Sequence, residues 1–399
     1  MEENSQSKPI AEDNRLWNGS FLWACTTFMV ILLLFTGLRV LTNISAIRNL
    51  EPWVLDIVFS FMSQIVIMFA VPLISIWLFM RHRKKQNPAV FSNFKVKNLF
   101  NSFGFDKPTW RVIGFAFLLG FMIYFFNIFV ASAFNGILNV FGYRFPGMFA
   151  SPFAGVGGLF VSFALIAVLP GLCEEVTHRG MLLKSFSAKL GVYRALWFSS
   201  ILFGFMHLNI VQVFYAAILG YIIGLAVVAT RSLWVGIIMH FMNNFLSVYF
   251  SIARNYGWPG GDLLYNMLNI GGGFGVIIFF AGVVACYFGI MAIIGMFAKE
   301  NFNRNKRLHI AQVVHNNPKV LLGENGTILT IEELEQRIDA GLSKLKPRQA
   351  LRFYIDPAHS IARMRRAKPK FTPIESTMFY GTMFLGGLVT MFTLVWGLL

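Results

Sequence analysis

Nine apolar runs dominate the chain and decide what it can fold into. They lie near residues 21–41, 54–80, 112–134, 153–172, 196–208, 211–229, 233–252, 267–297 and 378–398. A membrane-spanning helix needs about 20 mostly apolar residues, and none of the runs shows the alternation of a membrane β-barrel. Charged residues make up 13% of the 399 residues, against about 25% in soluble proteins. The pattern therefore predicts an all-α polytopic membrane protein with about nine transmembrane helices.

The net charge of +16 is explained by the membrane rather than by a nucleic-acid partner. With the N-terminus inside, only Arg39, Arg48, Arg144 and Arg254 of the 34 Lys and Arg residues fall on the outer side. Cytoplasmic loops are enriched in Lys and Arg, and such clusters bind anionic lipid head groups. We expect a multi-pass protein of the cell membrane that contacts membrane lipids and no nucleic acid. Its N-terminus is expected in the cytoplasm and its C-terminus outside.

The loops divide the chain into four predicted parts. Residues 1–94 hold a polar tail and the first two spans, 95–298 the core, 299–375 a cytoplasmic insertion, and 376–399 the last span. The insertion contains a helix that starts with a capping box, Thr330 to Glu333, a turn at 323–326, and an alternating strand at 351–356. We predict a small α+β module that binds a partner of unknown identity.

Polar side chains enter three of the consecutive apolar runs. Glu174 and Glu175 end one run, His207 ends the next, and His240 and Asn244 lie four residues apart in a later one. Ionisable groups are costly inside a membrane and mark functional sites there. Three spans that each carry such groups predict one shared buried site.

The spacing on the first helix predicts different roles for the two carboxylates. Glu175 and Arg179 are four residues apart and lie on one helical face, as do Glu174 and His178. Arg179 neutralises Glu175, which leaves Glu174 free to act as a general base. With His207 from the next helix, Glu174 forms a plausible pair that activates a water molecule for hydrolysis.

His240 and Asn244 share one face of a third helix, and their N–H groups suit a developing oxyanion. Other interpretations stay open from the residues alone. The buried charges could fix helix packing in a non-catalytic scaffold or immunity-type factor, or relay protons in a proton-coupled transporter. Zinc ligands are available, although the HExxH signature is absent, so no cofactor is expected and zinc is not favoured. The zinc donors would be Glu174, His178, His207 and His240.

Together these motifs resemble the CPBP family. Its members are the CAAX-protease and bacteriocin-processing membrane endopeptidases, which include the Ras-converting CAAX prenyl endopeptidases. The motifs are E-E-x-x-x-R (Glu174, Glu175, Arg179), F-x-x-x-H (Phe203, His207) and H-x-x-x-N (His240, Asn244), in this order within about residues 95–250.

The resemblance implies a helical intramembrane peptidase with a conical cavity open to the cytoplasmic side. It implies that Glu174 and His207 activate the water, that His240 and Asn244 hold the oxyanion, and that Glu175 and Arg179 support the site. The family usually has an aromatic residue just before the Arg, where this chain has His178. The substrate stays open between prenylated CAAX proteins, peptide pheromones, bacteriocin leaders and other membrane-associated proteins or peptides.

Overall fold

The computed structural model of the chain describes residues 17–41, 51–86, 96–105, 108–143, 155–263, 274–322, 327–361 and 370–398, together with residues 44, 47, 88 and 266. All longer regular elements in these ranges are helices. The one pairing of extended residues found there is an isolated antiparallel bridge between Leu322 and Ile328. The predicted helical class is confirmed for the described part of the chain.

The helices follow the apolar runs closely. In chain order they are α1 (Phe21–Leu41), α2 (Trp53–Gln86), α3 (Val96–Phe103), α4 (Trp110–Val140), α5 (Gly157–Leu190), α6 (Val192–Met206), α7 (Ile210–Thr230), α8 (Leu233–Tyr256), α9 (Phe274–Asn316), α10 (Ile331–Leu342), α11 (Pro347–Ile355), α12 (Pro357–Ile361) and α13 (Pro373–Leu398). Among the described residues, α1, α2, α4, α5, α7, α8, α9 and α13 are long and apolar enough to cross a membrane. The chain is therefore a multi-pass membrane protein.

One predicted span is shorter than the others. The run at 196–208 corresponds to α6, whose 15 residues rise only about 22 Å, less than the ~30 Å of a bilayer core. The described ranges thus hold eight candidate spans plus α6, where the sequence predicted about nine spans. The first residues of the runs predicted at 153–172 and 267–297 lie outside the described residues.

The helices have exposed apolar faces on the outside of the bundle and closely packed faces inside it. Phe288 on α9 and Phe384 and Phe392 on α13 are more than half exposed, as expected for side chains that face lipid. Inside the bundle, small residues bring helices together. A Cβ added at Gly171 of α5 would lie 3.1 Å from the backbone nitrogen of Phe241 in α8. This close approach brings α5 and α8, the two helices with the most polar motifs, side by side.

Polar contacts collect at one end of the bundle, which we call the basic end. They are Ser20–Ser185 at 2.9 Å, Lys184 to the carbonyl of Ser102, the amide of Leu233 to the carbonyl of Gly104 at 2.8 Å, Lys189–Glu375 at 2.9 Å and Arg111–Glu300 at 3.1 Å. These bonds join residues in or next to α1, α3, α4, α5, α8, α9 and α13. The short helix α3 lies at this end, where the carbonyl of its Ser102 accepts from Lys184.

The described part of the insertion is mainly helical, and the strand predicted at 351–356 is wrong. Residues Pro347–Ile355 form α11, with Pro347 in its first turn and Gln349 accepting a hydrogen bond from the Lys346 amide. Six residues of alternating polarity also fit a helix. Leu351 and Ile355 are four apart and pack against the main core, a contact that the strand interpretation omitted. The predicted capping box of Thr330 and Glu333 is present, and the turn predicted at 323–326 lies outside the described residues.

The insertion is joined closely to the bundle. Helix α9 runs without a break from its apolar part into the insertion, so the boundary predicted at residue 298 lies within a helix. Lys306 on α9 bonds Asp339 on α10 at 2.8 Å. A small second core of Ile310, Val313, Leu334 and Ile361 holds α9, α10 and α12 together.

Candidate active site

Glu174 and Glu175 lie on α5 where the helix widens. A π-helical stretch, Val176–Leu182, follows them directly, and such stretches are frequent at functional sites. Glu174 is 6% exposed and Glu175 is fully buried. Because a buried carboxylate needs partners, the groups around these two side chains define the site.

Glu175 pairs with Arg179, as their spacing predicts. Arg179 Nη1 lies 2.5 Å from Glu175 Oε1, and Nη2 donates to the carbonyl of Gly220 on α7 at 2.9 Å. The guanidinium also stacks on Phe203 of α6, with its Cζ 4.6 Å from the ring centroid. Arg179 therefore neutralises Glu175 and connects three helices.

His240 of α8 lies between the two carboxylates. Its Nδ1 is 3.0 Å from Glu175 Oε1, and its Nε2 is 3.9 Å from Glu174 Oε2. An ionised carboxylate can only accept a hydrogen bond, so Nδ1 carries the proton that Glu175 accepts. This arrangement leaves Nε2 directed at Glu174.

Glu174 has one oxygen bound and one oxygen free. Gln64 of α2 donates from Nε2 to Glu174 Oε1 at 2.9 Å. Glu174 Oε2 is buried and has no hydrogen-bond partner among the described residues. The free oxygen is the one nearest His240 Nε2, so the carboxylate is oriented with its unused acceptor towards the imidazole.

His207 lies in a strained turn between α6 and α7. Its Nδ1 lies 2.9 Å from the carbonyl of Phe203. Because a carbonyl only accepts, this nitrogen carries the proton, and Nε2 of the neutral ring has the lone pair. The next residue, Leu208, has φ +49°, an unfavourable value for a bulky side chain, and Asn209 caps α7. The turn therefore holds His207 against Phe203.

Three imidazole rings pack against the ring of Phe203. His178, His207 and His240 have ring centroids 4.9, 5.2 and 5.6 Å from it. His178 also lies edge-on to Phe28 at 5.4 Å, and its Nε2 is 3.3 Å from the sulfur of Met206. The sequence placed His178 on one face with Glu174, yet the described contacts of its ring are with aromatic side chains and Met206. His178 therefore packs mainly against aromatic rings.

Asn244 lies one turn after His240 and also contacts α5. Its Nδ2 donates to the carbonyl of Ile166 at 3.0 Å, and its Oδ1 accepts from Asn243 at 3.0 Å. Ile166 precedes Pro170 by four residues, and proline has no N–H to offer that carbonyl. One N–H of the Asn244 amide is thus occupied, and the second is available to another acceptor.

The sequence prediction missed two polar residues that contact the site or its neighbours. Gln64 binds Glu174 from α2, and Asn127 of α4 donates to Asn243 Oδ1 at 3.3 Å. Each is an uncharged polar residue within an apolar run. Polar groups inside a membrane span often mark a functional site, and this argument pointed to His207. Applied to amides as well as ionisable groups, it would also have pointed to Gln64 and Asn127.

The described residues hold no cluster of three or more His, Cys, Asp or Glu side chains arranged to bind a metal ion. Each of the four donors considered for zinc has one atom in a described contact, His207 through Nδ1 to the carbonyl of Phe203. Glu174 Oε1 accepts from Gln64, His240 Nδ1 donates to Glu175, and His178 Nε2 contacts Met206.

Gly236→Ala tests how tightly Glu175 is held. A Cβ at this position of α8 would lie 2.7 Å from Glu175 Oε2 and 2.8 Å from a methyl group of Val227. We expect overpacking to lower the free energy of unfolding by about 1–3 kcal/mol, measured by thermal unfolding in detergent. Gly114→Ala is the control, because no atom lies within 4 Å of its added Cβ. Equal stability of the two variants would mean that the Glu175 carboxylate has room to move.

Comparison with known protein families finds a similarity within the region of the site. Residues 156–246 match the family model described as Rce1-like, type II CAAX prenyl endopeptidase Rce1-like. We call residues 156–246 the Rce1-like segment, because they are similar to this family. The resemblance seen in the sequence motifs is thereby confirmed over these residues, and the match implies a protease. No curated protein and no solved structure matches the chain.

The Rce1-like segment runs from the first residues of α5 to the middle of α8. It contains all six predicted site residues: Glu174, Glu175, Arg179, His207, His240 and Asn244. Helices α1 to α4 and α9 to α13 lie outside it, and so do Gln64 and Asn127.

Proposed function

We propose that the chain is an intramembrane endopeptidase of the glutamic type, which hydrolyses peptide bonds of membrane-associated proteins or peptides. The observation that carries the proposal is the Glu174 carboxylate within the Rce1-like segment. It is buried, its Oε1 accepts from Gln64, and its Oε2 has no partner among the described residues. A fixed carboxylate with one free oxygen is suited to take a proton from an attacking water.

In the proposed reaction, Glu174 and His207 activate the water together. Glu174 Oε2 or His207 Nε2 accepts a proton as the water oxygen bonds to the carbon of the scissile carbonyl, whose π electrons move onto oxygen. The tetrahedral intermediate then collapses, and the bond between carbon and nitrogen breaks. The proton passes to the leaving nitrogen, which gives one new carboxyl end and one new amine.

His240 and Asn244 stabilise the oxyanion in this proposal. The Nδ1 proton of His240 is directed to Glu175, so Nε2 can donate only if the ring is an imidazolium. That form balances the charges of the cluster, since Arg179 and His240 then offset Glu174 and Glu175. Asn244 contributes its second N–H, while its bond to Ile166 keeps the amide in place.

We expect His240→Ala and Asn244→Ala each to lower kcat more than they raise KM. Oxyanion donors act chiefly in the transition state, and removal of one typically costs about 10²–10³ in rate. The measurement is steady-state cleavage by purified protein. Asn301→Ala is the control, because Asn301 also donates to a helix carbonyl, that of Ala229 at 3.3 Å, but lies at the basic end. A pure KM effect in both site variants would contradict the oxyanion role.

We propose that the reaction needs no bound metal. The alternative is that His240 belongs to a zinc site, in which case His240→Ala would lose metal and a strong chelator would inactivate the wild type. Metal analysis of the purified protein, together with cleavage assays with and without the chelator, separates the two. Stoichiometric zinc whose removal stops cleavage would contradict the proposal.

The substrate is proposed to be anchored in or on the membrane. A farnesylated peptide that ends in a CAAX sequence is the first probe, since the matched family is described as CAAX prenyl endopeptidases. The same peptide without the prenyl group is its control. Membrane peptides that accumulate in cells carrying Glu174→Ala, compared with wild type, identify the natural substrate. If purified wild type cleaves neither probe and no peptide accumulates, the proposed function is contradicted.

We further propose that the basic end faces the cytoplasm of the cell, with the N-terminus inside and the C-terminus outside. The positively charged ends of α2, at Arg83, Lys84 and Lys85, and of α5, at Lys189, support this orientation through the enrichment of cytoplasmic loops in Lys and Arg. The insertion at 299–375 is then cytoplasmic and accessible to a partner of unknown identity.

A further inference from the structure

Gln64 is a buried amide on α2, a helix that lies outside the Rce1-like segment. It belongs to the π-helical stretch Phe61–Ala70. Its Nε2 donates to Glu174 Oε1 at 2.9 Å, while its own Oε1 is buried and has no hydrogen-bond partner among the described residues. The amide therefore makes one described hydrogen bond, and that bond goes to the proposed general base.

A second contact fixes the register of α2 against α5. The Thr177 hydroxyl donates to the carbonyl of Met68 at 2.5 Å. Met68 follows Gln64 by four residues, and Thr177 follows Glu174 by three, so the two contacts are about one turn apart along parallel helices. Gln64 cannot shift along Glu174 without breaking the contact of Thr177.

The bond from Gln64 restricts the orientation of the Glu174 carboxylate plane. A carboxylate without such a bond can rotate and turn both oxygens away from His240. Because Gln64 occupies Oε1, Oε2 is left beside His240 Nε2, at 3.9 Å. A packing role does not explain the amide, since an unpartnered buried oxygen is destabilising and methionine would fill a similar volume without that oxygen.

We propose that Gln64 is a positioning residue for Glu174, which holds the free carboxylate oxygen in line with the water and His240. The inference rests on the proposed peptidase function. It extends the active site to α2, which the sequence assigned to an N-terminal part outside the core.

Gln64→Met is the first test, with the full chain purified in detergent and the farnesylated CAAX peptide as the probe. We expect kcat to fall by about 10²-fold, the effect typical of a catalytic group that is misplaced by about 1 Å, while KM stays near the wild-type value. Ser63→Ala is the matched control. Ser63 is the buried neighbour on the same helix, and its described bond is to the carbonyl of Ser60, so we expect its kcat to be unchanged.

Gln64→Glu separates positioning from packing, because the two side chains have nearly the same shape. The new carboxyl can donate to Glu174 only while the pair shares a proton, and two adjacent carboxylates release that proton only at raised pH. We expect cleavage near the wild-type rate at low pH and a loss as pH rises through the second ionisation. A pH profile with the wild-type shape would overturn the positioning role.

Infrared spectroscopy provides a readout that needs no substrate. The carboxylate stretching band of Glu174, assigned by its loss in Glu174→Gln, is expected to shift in Gln64→Met and to stay in place in Ser63→Ala. An unshifted band with wild-type kcat in Gln64→Met overturns the inference. If wild type cleaves no probe, the proposed function fails, and the band alone still decides whether Gln64 holds Glu174.

Discussion

Glu174→Gln is expected to lower the rate of peptide cleavage by about 10²–10⁴-fold, the usual contribution of a general acid or base. The substitution keeps the shape of the side chain and retains an oxygen that can accept from Gln64. What it removes is the free oxygen Oε2, replaced by an amide that cannot take a proton from water. The measurement is kcat of purified protein on a peptide that the wild type cleaves, and we expect the same range for His207→Ala.

The folded fraction should stay close to wild type in Glu174→Gln, which distinguishes a chemical loss from a structural one. Glu300→Gln is the control. Glu300 accepts from Arg111 and Arg304 at the basic end, far along the chain from the Rce1-like segment. Cleavage by Glu174→Gln at the wild-type rate would remove Glu174 from the mechanism.

The predicted spans largely agree with the structure, because long apolar helices are dictated by the membrane itself. Backbone groups in lipid must be satisfied within the segment, so the runs at 21–41 and 211–229 became helices with nearly the predicted bounds. The prediction of a strand at 351–356 was wrong because no membrane imposes a helix on this segment. Outside the membrane, the choice between strand and helix depended on the packing of Leu351 and Ile355 against the bundle.

Direct contacts join four of the six predicted site residues, while His207 contacts Phe203 and Asn244 bonds Asn243 and Ile166. Glu175 and Arg179 meet along one helix, and His240 reaches both carboxylates from the neighbouring one. Gln64 could not be assigned to Glu174 in the same way. Its contact depends on the register of α2 against α5, a tertiary relation between residues separated by 110 positions.

Arg179→Met is expected to lower the free energy of unfolding by about 3–5 kcal/mol, the usual effect of breaking a buried ion pair. Both partners are almost fully buried. The variant leaves Glu175 with His240 as its remaining described partner and leaves the carbonyl of Gly220 without its donor. Unfolding of the purified protein by heat or denaturant in detergent measures the loss.

Two companion variants decide whether burial is the cause. Arg111→Met removes a similar group, since Arg111 pairs with Glu300 at 3.1 Å and lies 5.7 Å from the ring of Phe297. That pair is exposed to solvent, where such bridges typically contribute 0.2–1 kcal/mol, so we expect a loss of less than about 1 kcal/mol. The double variant Glu175→Gln with Arg179→Met removes both charges and should regain much of the stability. Equal losses of unfolding free energy in the Arg111 and Arg179 variants would show that burial does not make the Arg179–Glu175 pair more important for stability. The proposed supporting role of the pair would then rest only on its orientation of His240.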